Sequence, residues 1–304
     1  MSTVGTTMHN ILYIFIYAVC IPQFMQISAD FPLVAFFAGI CYSSPAGSPA
    51  ILYESKGMLM KCRNFAHRGF SGLYPENTML AFRKALEAGC EGMEFDVHLT
   101  KDKVLVVIHD EAIDRTSGKH GLVKDMTYEE LCRVDFSYKW KGQVPFQRIP
   151  TLEEYFQLVK DRDILNNIEL KTGVYEYPGI EQAVYDLILR YGMGDRVIVS
   201  SFNHHSVMRM KAIDPRIPCG FLAETWILDA ADYVEGHRVE AYHPQFHMLT
   251  DEETADMKAH GRQINTWTVN EPEDIRRMID LQVDGIIGNY PDRVRRELQA
   301  AGLR

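Results

Sequence analysis

The chain has 304 residues, 46% of them hydrophobic and 24% charged, a composition that supports a sizeable globular core. Its net charge of −9 excludes the broad basic face that a nucleic-acid partner requires. Neither a GxxxxGK[ST] phosphate loop nor a CxxC pair occurs, and six scattered cysteines point to a reducing compartment, hence the cytoplasm, rather than to a disulfide framework.

Residues 1–57 differ from everything after them. Their only charged side chains are Asp30, Glu54 and Lys56, and apolar runs occupy 11–21 and 31–42. The segment lacks the basic start of a signal peptide, and each run is shorter than the roughly 20 apolar residues of a membrane span. Three readings stay open for this leader: a weak membrane anchor, with Lys56, Lys61 and Arg63 favouring a cytoplasmic catalytic domain; a disordered segment; or a non-native translation of upstream sequence, with Met58 or Met60 the true start. Membrane contact is expected only through it. Residues 58–304 are close to the roughly 250 residues of a βα barrel.

From Met58 onward, β-rich runs alternate with amphipathic helical patterns. A strand at 62–66 leads into His67, and Asn77 or Thr78 caps a helix that Gly89 ends. Strands follow at 93–99 and 104–108. Capping boxes at Thr127/Glu130 and Thr151/Glu154 open helices at 128–133 and 152–160. Further strands are expected at 167–171, 196–202, 219–223, 239–242, 263–269 and 285–287. Helices at 180–191, 205–213, 227–235, 251–260, 272–281 and 293–301 separate or follow them. Gly192-Met-Gly194 ends a helix instead of opening one, so it reads as a helix cap and not as a dinucleotide fingerprint.

Alternating strands and helices argue for a parallel sheet with helices outside it. Nine strands are one too many for an eight-stranded barrel. The four residues between 99 and 104 are too few for a parallel crossover, so the strand at 104–108 must turn back as an antiparallel hairpin partner. The fold expected is an α/β, TIM-type (β/α)8 barrel with an extra hairpin strand after the second barrel strand.

Strand parity then assembles a site. Glu94 and Asp96, at i and i+2, share a face, and hairpin register puts His109 opposite Glu94 or Phe95. His67 ends the first strand, at the barrel end where such folds keep their chemistry, and Glu169 and Lys171 form a second i, i+2 pair on the fourth strand. Three carboxylates make a hard oxygen cage suited to one divalent cation, Mg²⁺ or Ca²⁺. Arg68 and Lys171 suit phosphate oxygens, and two histidines suit proton transfer near neutral pH.

The ordered run His67-Arg68-Gly69, Glu76-Asn77-Thr78, Glu94-x-Asp96, Thr100-Lys101-Asp102 and His109-Asp110 continues through Asp114-Arg115-Thr116, Glu169-x-Lys171, Ser201-Phe202, Trp267-Thr268-Val269-Asn270 and Asp284-Gly285-Ile286. Over residues 62 to about 300 it resembles the glycerophosphodiester phosphodiesterase family. The resemblance implies hydrolysis of small-molecule glycerophosphodiesters, such as glycerophosphocholine or glycerophosphoethanolamine, to an alcohol and sn-glycerol 3-phosphate. It matches Glu94, Asp96 and Glu169 to metal ligands, His67 and His109 to the acid/base pair, and Arg68 and Lys171 to phosphate contacts. Trp267 is expected to line the pocket, and Glu76 to hold Arg68. The short segment between His109 and Glu169 favours a small headgroup. Gly288 stands where the family tends to carry a threonine. The rival readings are a lysophospholipase D-type enzyme at a membrane and an inactive barrel used as a binding module.

Overall fold

The computed structural model describes residues 62–304; the readings made for the leader fall outside the described residues. In chain order the elements are β1 (Arg63–His67), α1 (Met79–Ala88), β2 (Gly92–Leu99), β3 (Leu105–Val107), α2 (Asp114–Ser117), α3 (Tyr128–Cys132), α4 (Leu152–Val159), β4 (Leu165–Leu170), α5 (Ile180–Tyr191), β5 (Val197–Ser201), α6 (His204–Ile213), β6 (Cys219–Ala223), α7 (Ala230–Gly236), β7 (Ala241–Pro244), α8 (Asp251–Ala259), β8 (Gln263–Thr266), α9 (Pro272–Asp280), β9 (Gly285–Gly288) and α10 (Pro291–Ala300). Eight strands, β1, β2 and β4 to β9, pair in parallel and close where β1 meets both β2 and β9. The ninth, β3, lies antiparallel on β2 with Val97 opposite Val107, the register expected from the short turn. The structure is thus the closed βα barrel with one hairpin strand outside the ring.

Local signals set the helix ends. Thr127, Thr151 and Thr250 each close a reciprocal capping box with the glutamate three residues on. Thr78 caps α1 by accepting from the Ala81 amide, which leaves Asn77 for another task. α5 ends at Gly192 in the left-handed region, so the Gly192/Gly194 pair is a helix terminus as read.

Parity along β2 sorts the two layers. Phe95 and Val97 are fully buried toward the helices, where the Phe95 ring lies 4.2 Å from Tyr155 of α4 and 6.0 Å from Phe82 of α1. A side chain so enclosed contributes about 3–5 kcal/mol relative to alanine. Glu94 and Asp96, alternating with it, face the barrel interior. Lower in the barrel, Phe65 fills the lumen against Gly92 and Gly285, where any Cβ would come within 3 Å of its ring.

Residues 110–149, which the sequence presents as a short connection, form a cap with its own apolar cluster. Ile113, Val123, Leu131, Val134, Phe136 and Ile149 pack there on Val106 and Ile108. Backbone bonds fasten it to the hairpin, from Lys101 N to Met126 O (2.9 Å) and from Val107 N to Pro150 O (2.9 Å). It stands at the β2–β3 side of the barrel mouth, directly behind His109. Among the described residues no helix is long and apolar enough to cross a membrane.

Candidate active site

The C-terminal ends of β1, β2 and β4 meet at the mouth, where Asp96 pairs with Glu169 and His67 with Glu94 in register. This brings Glu94, Asp96 and Glu169 together, each at most 7% exposed, with ligand oxygens within 4.8 Å of one another. Burial, followed by the neighbouring Asp96 and Glu169, pushes the Glu94 carboxyl well above its usual range. Burial likewise raises Glu169, with Lys171 opposing the shift. Asp96 would also rise on burial, but Arg68, His109 and Lys171 hold it well below the carboxylate range. Its Oδ1 is buried and has no hydrogen-bond partner among the described residues. Three enclosed, mutually repelling carboxylates with a spare acceptor fit a hard divalent cation. A second group, Asp232, Glu235 and His260, is largely exposed and consists of ordinary ion pairs.

Two cations flank the acids. Arg68 donates its backbone N–H to Glu94 Oε2 (3.1 Å), places Nε 3.4 Å from Asp96 Oδ2, and gives Nη1 to Glu76 Oε1 (2.9 Å). Its left-handed backbone (φ +53°) is followed by Gly69 at φ +79°. A Cβ on Gly69 would sit 2.8 Å from the Ala81 backbone and side chain, so only glycine lets the turn lie against α1. Lys171 Nζ donates to Glu169 Oε1 (2.7 Å), lies 3.9 Å from Asp96 Oδ1, and comes 3.3 Å from His109 Nε2.

Each histidine is held at Nδ1; His67 turns its Nε2 to Glu94 and His109 turns its Nε2 to Lys171. His67 Nδ1 donates to Asn289 Oδ1 (2.6 Å), while its Nε2 stands 3.8 Å from Glu94 Oε2. Burial, then the Arg68 charge, lowers His67 to about 3, so its imidazole is neutral at physiological pH. His109 Nδ1 donates to Asp110 Oδ1 (2.6 Å), and Arg115 Nε donates to Asp110 Oδ2 (2.6 Å).

Seven of the eight expected residues therefore converge: His67, Arg68, Glu94, Asp96, His109, Glu169 and Lys171. Trp267 stands apart on the wall. Its Nε1 donates to the His243 carbonyl (2.8 Å), and its ring meets Phe202 edge-on at 5.4 Å, with Phe202 5.9 Å from Lys171 Nζ. Glu76 holds Arg68 as expected. Of the remaining histidines, His243 is buried in the lumen and accepts from Asn265 Nδ2, and His204 stacks on Phe221.

Two asparagines also serve the site. Asn77 Nδ2 donates to Asp96 Oδ2 (2.8 Å), which explains why Thr78 and not Asn77 caps α1. Asn289 orients His67 and accepts from Ser71 Oγ (3.0 Å). It follows Gly288, where a Cβ would lie 2.3 Å from the Val269 carbonyl oxygen, leaving no room for the threonine that the family tends to carry there. Asn77 is visible within the ENT run and Asn289 within the Asn289-x-Pro291 run, but nothing local ties either to its partner.

Comparison with known proteins places residues 67–293 in a match to the model of the Glycerophosphoryl diester phosphodiesterase family. The chain is 43% identical over 235 residues to a glycerophosphodiester phosphodiesterase of Caldanaerobacter subterraneus subsp. tengcongensis, covering 77% of this chain and 96% of that one. It is 44% identical over 232 residues to one of Bacillus altitudinis, covering 75% and 95%. A crystal structure of a glycerophosphoryl diester phosphodiesterase from Silicibacter pomeroyi superposes with a TM-score of 0.73 at 29% identity, covering 79% of this chain and 94% of that one. An Oleispira antarctica phosphodiesterase in complex with the product sn-glycerol-3-phosphate gives 0.70 at 25% identity, covering 77% and 96%.

Proposed function

The chain belongs to the glycerophosphoryl diester phosphodiesterase family and is a phosphodiesterase hydrolase acting on glycerophosphodiesters, and from that premise we propose how it does so and on which substrates. The reaction is hydrolysis of a glycerophosphodiester with a small headgroup, such as glycerophosphocholine or glycerophosphoethanolamine, to an alcohol and sn-glycerol 3-phosphate. It depends on one divalent cation, Mg²⁺ or Ca²⁺, held by Glu94, Asp96 and Glu169. The observation that carries this reading is that the acid cluster has a histidine Nε2 on each side, that of His67 3.8 Å from Glu94 and that of His109 3.3 Å from Lys171 Nζ.

Arg68 and Lys171 bind the phosphoryl oxygens, Arg68 with the guanidinium that Glu76 already holds. When bound, the cation supplies positive charge to oxygens that become more negative in the transition state. One histidine takes the proton of the attacking oxygen at Nε2 as the new P–O bond forms. The other gives its proton to the departing alcohol oxygen as the old P–O bond breaks. The attacking oxygen is that of water or of the substrate's own glycerol 2-hydroxyl, the second route giving a cyclic phosphate that water then opens. Arg68 and the buried acids enclose the phosphate so that these contacts act with little competition from solvent.

The test is enzyme-coupled detection of glycerol 3-phosphate from a panel of glycerophosphodiesters in Mg²⁺, Ca²⁺ or EDTA, on the full chain and on one starting at Met58. Activity is expected with a divalent cation and not in EDTA; full turnover in EDTA refutes the cation site. Equal activity of the shorter chain supports the division at residue 57.

One observation favours a second reading. Val174 after β4, Phe202 after β5, and Trp226 and Leu228 after β6 are exposed at the mouth, Leu228 by 91%. Such a rim suits an acyl chain, as in lysophospholipase D-type hydrolysis. Release of choline from lysophosphatidylcholine faster than from glycerophosphocholine would favour it. A binding module without activity is disfavoured, because His67, Glu94, Asp96, His109 and Glu169 all stand together at the mouth. The free thiols of Cys62, Cys90, Cys132 and Cys219 support the cytoplasmic location.

A further inference from the structure

Behind the two flanks of the site runs a continuous chain of charged groups. It starts at Arg68, whose Nη1 donates to Glu76 Oε1 (2.9 Å). Glu76 in turn accepts from Arg115 with both oxygens, Nη1 to Oε2 at 2.6 Å and Nη2 to Oε1 at 2.7 Å. The same guanidinium donates to Asp110 through Nε to Oδ2 (2.6 Å) and Nη2 to Oδ1 (3.1 Å). Asp110 Oδ1 accepts from His109 Nδ1 (2.6 Å). Arg115 is therefore bidentate on two carboxylates at once, and each of those carboxylates holds one working side chain.

Only a planar fork does this. A lysine ammonium in its place has the charge but no rigid set of donors to span both partners. The fork is also where the cap joins the barrel, since Arg115 lies on α2 at the start of the cap and Glu76 lies on the loop after β1. The cap's first helix thereby sets the angle of the imidazole that its own preceding residues carry into the mouth.

We propose that Arg115 is a positioning residue for His109 and Arg68, tying the proton-transferring arm to the phosphate-binding arm so that both are set as one unit. It touches neither the acid cluster nor the mouth, and acts through Asp110 and Glu76. The inference rests on reading His109 as an acid/base group. If that reading is wrong, His109→Ala turns over near the wild-type rate, an outcome separate from any result at Arg115.

The test uses the full-length chain in Mg²⁺ with glycerophosphocholine, comparing Arg115→Met, Arg115→Lys and His109→Ala. Displacing a catalytic group by about an ångström costs on the order of 10²-fold in rate. Arg115→Met is accordingly expected to lower kcat by about 10- to 100-fold with KM changed by less than about threefold. Arg115→Lys recovers only part of that loss. A second readout is the low-field proton resonance of His109 Nδ1–H, identified by its disappearance in His109→Ala. It shifts or broadens in Arg115→Met when the imidazole loses its fixed partner. Turnover within twofold of wild type in Arg115→Met overturns the proposal, and so does a lowered kcat with the His109 resonance unmoved, the mark of a purely structural loss. Should Arg115→Met fail to fold, Arg115→Lys carries the same two criteria.

Discussion

Asn289 and His67 are 222 positions apart in the chain, yet their 2.6 Å hydrogen bond fixes which imidazole nitrogen faces the acids. By accepting at Nδ1, Asn289 keeps the proton there and leaves the Nε2 lone pair free for proton transfer. Asn289→Ala removes that acceptor and is expected to lower kcat about 10- to 100-fold, as loss of orienting partners does elsewhere. Asn289→Asp keeps an oxygen in the same place and should retain most of the activity. Steady-state kinetics on glycerophosphocholine check both, and equal losses in the two variants would contradict an orienting role. Legibility at this scale follows sequence distance. Glu94 with Asp96, and Glu169 with Lys171, could be found because strand parity alone puts each pair on one face. His109 could be found because the hairpin register is local. Asn289 could not, because only closure of the barrel between β9 and β1 brings it to His67.

At the scale of elements, the helices were marked by their ends and the strands by their alternation with helices. Capping boxes predict the starts of α3 and α4 within a residue, since a threonine and a glutamate three positions on satisfy two amides without help from the rest of the fold. Strand ends were less legible: β8 stops at Thr266 where a run to 269 was expected, and β7 runs to Pro244 where an end at 242 was expected. Period-two patterning does not report where neighbouring strands stop offering partners. The end of β9 shows the same limit in another form. Gly288 looked like a departure from the family pattern at a place for a hydroxyl, whereas a Cβ there would meet the Val269 oxygen at 2.3 Å. Gly288→Thr is therefore expected to destabilise the fold by about 1–3 kcal/mol, the usual cost of overpacking, and not to improve catalysis. Urea denaturation measures the first and kcat/KM the second. A threonine variant as stable as wild type would show that β9 yields more easily than its contacts suggest.

For the whole molecule, the barrel was legible and the cap was not. Eight parallel strands and one hairpin partner follow from counting strands against loop lengths. The cap is built of one-turn helices and loops, too short for any hydrophobic period to register, and its core exists only once Val106 and Ile108 are in place. Besides that apolar packing and its backbone bonds to the hairpin, the cap is tied to the barrel by the Arg115–Glu76 ion pair, and that pair makes its docking sensitive to acid. Burial alone would raise the Glu76 carboxyl, but its bonds to Arg115 and Arg68 lower it to about 2, against an ordinary 4.5. A carboxylate depressed in the folded state contributes stability that is complete above its unfolded pKa and is lost as pH falls through its folded one. The window here is from about 4.5 down to about 2. With the Glu76 side chain 20% exposed, the contribution is on the order of 2–3 kcal/mol after allowing for screening. Glu76→Gln removes the charge. Wild type should therefore be more stable than the variant by roughly that amount at pH 7, and the gap should narrow steadily below pH 4.5 as Glu76 takes up its proton. Chemical denaturation of both proteins at several pH values measures the gap directly. A gap that stays constant down to pH 3 would mean that the Arg115 and Arg68 pairs add nothing to the docking of the cap.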